Sequence, residues 1–176
     1  LEHVFKNIIQ YPIHITIHYD LDKLDNEISN EFEAFTTINN SDINKNPTHS
    51  TIFFTKSFLD NRRRYSRKYM YYVILHECIH ALGIMYDSHT KWSSFLNESE
   101  TSYIYKGKKS KAIEEYTKLH LNKHNNRSKE IPLHVENCSH TDKHHILNTN
   151  DVFSSPLCTN VSPVTIGLLY DYYFSK

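Results

Sequence analysis

His76, Glu77 and His80 are the residues whose types and spacing point most directly to chemistry. On a helix, positions 76 and 80 stand one turn apart, so both imidazoles leave the same face. An axial separation of about 6 Å lets both ring nitrogens bind one tetrahedral ion. Glu77 is rotated one residue away, within reach of a water on that ion rather than of the ion itself. This is the H-E-x-x-H arrangement of zinc hydrolases, in which the carboxylate is the general base. With 13 His and 11 Glu in 176 residues, such a match arises by chance about one time in twenty. Gly83, one of only three glycines, follows the second histidine by three residues and makes a chance match far rarer.

A catalytic zinc site has three protein ligands plus water, so a third ligand is needed. A thermolysin-like layout would continue the helix and take Glu98, beside Asn97. Gly83 argues against that layout, because a glycine there stops the helix and turns the chain. A compact metzincin would place its third histidine at position 86, which is Tyr86, with Asp87 and His89 close by.

The elements that must position these side chains can be read from periodicity. Ile13, Ile15, Ile17 and Tyr19 alternate with His14, Thr16 and His18, which predicts a half-buried strand. Leu24, Ile28, Phe32 and Phe35 have helical spacing, and Thr36 to His49 reads as a loop rich in Asn, Asp and Ser. Thr51 to Thr55 is the second strand. Asp60 or Asn61 can cap a helix running through Arg62-Arg63-Arg64 to Gly83, with Tyr65, Tyr69, Tyr72, Val73, His76 and His80 as its stripe. The arginine run reads as a solvated helix face. Ser110 to Leu121, with Ala112, Ile113, Tyr116 and Leu119, predicts an amphipathic helix, and residues 134–160 predict ordered loop. Ser162 as N-cap and Pro163 at the first position open a last helix, with Ile166, Leu169, Tyr170 and Tyr173 as its buried side.

Over roughly Ala34 to Phe174 the chain resembles the leishmanolysin family, metzincins in which a long insertion separates the glycine from the third histidine. Thr51-Ile52-Phe53-Phe54 looks like the strand before the active-site helix, and His76 to Gly83 matches that helix with its Ala-Leu-Gly ending. Lys111 to Tyr116 resembles the short helix of the insertion, and Val135-Glu136-Asn137 resembles a segment ahead of the third ligand. His145-Ile146 matches the ligand histidine, and Ser162 to Tyr173 resembles the closing helix. The resemblance implies an α+β fold of the metzincin type. It would have a small twisted mixed sheet with the active-site helix in residues 1–83, and a mostly helical and irregular C-terminal subdomain in residues 84–176.

It further implies a zinc endopeptidase with one Zn2+ held by His76, His80 and His145, Glu77 as general base, and a protein or peptide substrate. The strand around Thr51–Thr55 would then be the sheet edge that receives the substrate backbone, and residues 154–165 would wall an apolar pocket. Three departures from the family pattern stand out. Phe153 holds the Met-turn position, the segment between His145 and that turn is shorter than usual, and Ser139 to His144 replaces a glycine-rich run. His144 and His140 are therefore rival third ligands. The alternative readings are a zinc-binding module with weak or no catalysis, and the thermolysin-like peptidase using Glu98.

Composition narrows the partners. Lys+Arg and Asp+Glu both total 20, so no basic excess points to nucleic acid. The longest apolar run, Tyr69 to Leu75, is too short to span a bilayer, and membrane association is expected only through parts outside this segment. The chain begins at Leu1 without an initiator methionine and is read as a segment. A monomer is expected, secreted or at the cell surface; five N-x-S/T sequons and a possible Cys138–Cys158 pair fit that compartment. Cys78, inside the helix, reads as a small buried hydrophobe.

Overall fold

A computed structural model describes residues 5–9, 11–19, 33–85, 90–99, 102–105, 110–121, 130–133, 140 and 161–174. The fold is mixed α and β. Strands β1 (His14–His18), β2 (Ala34–Ser41) and β3 (Pro47–Phe54) form one sheet in the order β1-β3-β2. β1 runs parallel to β3, and β2 runs antiparallel to it. A short helix, α1 (Lys56–Asp60), and a 3-10 turn (Asn61–Arg63) lead to α2 (Arg67–Ala81). A second, antiparallel sheet follows, made of β4 (Leu96–Ser99), β5 (Ser102–Tyr105) and β6 (Ile131–Pro132). Helix α3 (Lys111–Leu121) is inserted between β5 and β6, and α4 (Pro163–Phe174) is the last described element.

Much of the segment expected as loop is strand. Thr36, Thr37 and Ile38 are β-branched and suit a pleated, half-buried surface, and Ala34, Thr36 and Ile38 bury the inner face. Only the tip behaves as Asn- and Asp-rich composition suggests. Asp42 Oδ1 accepts from the main-chain N–H groups of Asn44 and Asn46, each at 2.8 Å. Lys45 turns through the left-handed region with φ 57°. Phe35, expected on a helix with Leu24, Ile28 and Phe32, lies on β2; Leu24, Ile28 and Phe32 fall outside the described residues.

Two other expectations are corrected. β3, read as the edge, is the central strand, and the edges are β1 and β2. β1 is exposed on both faces rather than half-buried, because α2 packs over β2 and β3. Helix α2 also starts later than expected. Ser66 is its N-cap, accepting from Tyr69 N–H at 3.1 Å, and the chain breaks between the arginine run and this cap.

Helix α2 is buried in its C-terminal half because it lies between two apolar clusters. Val73, Cys78 and Ala81 face Ile52, Phe54 and Phe58 on the sheet side. Leu75, Ile79 and Leu82 join Trp92, Tyr105, Ile131, Leu168 and Tyr172 on the other. The second cluster draws on both sides of residue 83, so the two expected subdomains share one core.

Helices α3 and α4 form where the sequence places them. Ser110 Oγ accepts from Ile113 N–H, and Ser162 Oγ accepts from Thr165 N–H, both at 3.1 Å. The buried side of α4 is rotated from the expected one. Val164, Leu168, Leu169 and Tyr172 are enclosed while Tyr170 is exposed. Gly167 sets this rotation: a Cβ there would stand 2.6 Å from Ala112 Cα, so the two helices touch backbone to backbone.

Candidate metal centre

The site is assembled at the C-terminal end of α2. His76 and His80 leave the buried half of the helix one turn apart, with rings at 83° to each other. Gly83, with φ 107°, turns the chain immediately afterwards, a conformation that L side chains rarely adopt. The turn returns the Ile84 carbonyl to the second ligand, where it accepts from His80 Nδ1 at 2.8 Å. A carbonyl can only accept, so Nδ1 carries the proton and Nε2 presents a bare lone pair. Burial also holds this imidazole neutral, with its pKa depressed to about 4.

The third corner is His140. Its Nε2 lies 2.9 Å from His76 Nε2 and 3.1 Å from His80 Nε2, and the His76–His80 pair is also 3.1 Å apart. Two ligand nitrogens on one tetrahedral zinc ion stand about 3.3 Å apart, so the triangle has the dimensions of a three-imidazole metal site. The donor chemistry agrees. His80 Nε2 has no proton to share, and a single lone pair cannot satisfy two facing nitrogens; a cation among the three satisfies all of them. His76, His80 and His140 form the group among the described residues close enough to hold a metal ion.

His145, the preferred third ligand, lies outside the described residues, as do His144, Tyr86, Asp87, His89, Phe153, Cys138 and Cys158. Among the described residues it is the rival His140 that stands at the third corner. Of the pocket-wall segment 154–165, only residues 161–165 are described. Helix α2 stops at Ala81 and Glu98 falls on strand β4, so the continuous helix of a thermolysin-like layout is missing.

Glu77 is buried between the helix and the sheet. Its Oε2 accepts a hydrogen bond from Thr36 Oγ1 at 2.7 Å, and the same hydroxyl lies 3.1 Å from the Glu77 carbonyl oxygen. Loss of solvent raises the carboxyl pKa, while the charge of His76 and the Thr36 hydrogen bond act to lower it. Thr36 was not legible as a site residue, because its segment read as loop. The available signal was the β-branched run Thr36-Thr37-Ile38. Cys78 points to the sheet side of the helix as a free, buried thiol, and desolvation pushes its pKa up to about 11.

Three imidazoles close enough to hold a metal ion, with a buried carboxylate beside them, are an arrangement that could acidify a metal-bound water and collect its proton. Compared with protein-family models, curated proteins and solved structures, the chain has no significant match.

Proposed function

We propose that this chain is a zinc-dependent endopeptidase, with His76, His80 and His140 as metal ligands and Glu77 as general base. The observation that carries the reading is the triangle of Nε2 atoms, 2.9–3.1 Å on a side, on the same helical turn as a buried carboxylate. Three imidazole donors suit zinc, which when bound would supply Lewis acidity and a water whose pKa lies near neutrality. Glu77 takes the proton from the attacking water and returns it to the leaving amine nitrogen. Among the described residues the sheet edges are β1 and β2 rather than β3, and a substrate backbone added to β2 would run beside the strand that carries Thr36. A resemblance to leishmanolysin-like peptidases, carried by His76 to Gly83 and the closing helix, supports the same substrate class and a secreted or cell-surface setting.

The test is the Glu77→Ala variant beside the parent, both loaded with one equivalent of zinc and offered a peptide library. The expected result is cleavage by the parent, a rate about 10²–10⁴-fold lower in the variant, and equal zinc content. A zinc-loaded parent that cleaves nothing makes the chain a metal-binding module instead.

A further inference from the structure

Thr36 and Ser50 sit on the inner face of the sheet, and both hydroxyls reach helix α2. Ser50 Oγ donates to the Ala81 carbonyl at 2.9 Å, and Thr36 Oγ1 approaches the Glu77 carbonyl at 3.1 Å. These carbonyls are one helical turn apart, so the two hydroxyls tether the helix to β2 and β3. Thr36 differs from Ser50 in one respect: its shorter contact, 2.7 Å, is to the side-chain Oε2 of Glu77. One hydroxyl thus bridges the main chain and the carboxylate of the same residue, which fixes the torsions between them.

We infer that Thr36 is a positioning residue for Glu77, holding the carboxylate in the orientation that proton transfer requires. This rests on the peptidase reading of the site. A glutamate on a helix has several rotamers, and ordering it costs side-chain entropy. Thr36 can hold it in place because it is itself immobile: it is buried, β-branched and paired across the sheet with Ile52. Among the described residues it is the hydrogen-bond donor to this carboxylate, and it engages Oε2. Oε1 is left as the oxygen that exchanges a proton. The hydroxyl donates more strongly to the ionised carboxylate and can still donate to the carbonyl oxygen of the carboxylic acid, so Oε2 keeps a partner through both halves of the proton cycle.

The test compares Thr36→Val, Thr36→Ser and Ser50→Ala with the zinc-loaded parent, reading kcat, KM, zinc content and Tm. Valine keeps the shape and removes the hydroxyl. Thr36→Val is expected to lower kcat about 10–100-fold, the effect of misplacing a reacting group, with KM and zinc content unchanged. Thr36→Ser restores most of kcat. Ser50→Ala loses a tether of the same kind and lowers Tm while leaving kcat near the parent value. Parent-level kcat in Thr36→Val, or an equal loss of kcat in Ser50→Ala, overturns the inference and leaves the peptidase reading standing. An inert parent overturns both. If Thr36→Val does not fold, Thr36→Ala takes its place: a kcat lost in Thr36→Ala and kept in Thr36→Ser supports the role of the hydroxyl, and a parent-level kcat in Thr36→Ala overturns it.

Discussion

The carboxylate of Asp171, on α4, lies 2.7 Å from the main-chain nitrogen of Lys111, the first residue of α3. It also accepts from Ala112 N–H at 3.1 Å, Tyr105 Oη at 2.7 Å and Ser110 Oγ. One helix therefore caps another. Exposed helix-start donors are ordinarily met by a local side chain or water, but here a negative charge from a distant element also complements the positive end of the helix dipole.

Removal of this carboxylate should be among the most damaging single changes. Asp171→Ala leaves the buried Ala112 N–H, the partly buried Lys111 N–H and the buried Tyr105 hydroxyl without their acceptor, and should destabilise the fold by about 3–5 kcal/mol. Asp171→Asn keeps an acceptor and should lose about half as much. Urea unfolding measures both, and a loss under 1 kcal/mol for the alanine variant would contradict the capping role.

Metal retention should separate the candidate third ligands. His140→Ala leaves two imidazoles, and zinc should be lost to a competing chelator at concentrations the parent withstands. His145→Ala should keep one equivalent. The measurement is bound zinc after dialysis against graded chelator; the reverse order would reassign the third corner to His145.

Acid should weaken the metal-free protein in a defined window. Burial depresses His80 to about 4, against about 6.5 in an unfolded chain. Between these values the unfolded state binds more protons than the folded one. Stability is therefore complete above about pH 6.5 and is lost as pH falls toward 4, by up to about 3 kcal/mol. Glu77, whose pKa is raised by burial, works in the opposite direction, so the contribution of His80 is read by difference. The urea midpoint of chelator-treated parent should fall between pH 7 and pH 4.5 by more than that of His80→Asn. Parallel behaviour of the two proteins would remove His80 as the cause.

The parts of the site that sequence made legible are those set by local rules. The 76/80 spacing needs only a helix, Gly83 needs only a turn after it, and Ser162-Pro163 is a helix start that owes nothing to tertiary context. The third ligand was the opposite case. Three histidines, His140, His144 and His145, fall within six residues, and which one reaches the helix depends on how the intervening chain is routed. The β2–β3 hairpin was hidden by the five-residue tip Asp42 to Asn46, whose composition masked the β-branched residues beside it. The second sheet was missed because β4 to β6 are two to four residues long, too short for periodicity to register. Thr36 could not be found by motif at all: it meets Glu77 from 41 residues away through packing alone.

Tyr172 and Tyr173 are neighbours in sequence, yet their hydroxyls hold carbonyls in separate places: Lys45 at 2.8 Å in the hairpin tip and Leu82 at 2.7 Å at the end of α2. The last helix is thereby knotted at once into the first sheet and into the turn that orients His80. Fraying of that helix would release both anchor points together, so breathing motions at the terminus and at the ligand turn belong to a single cooperative unit.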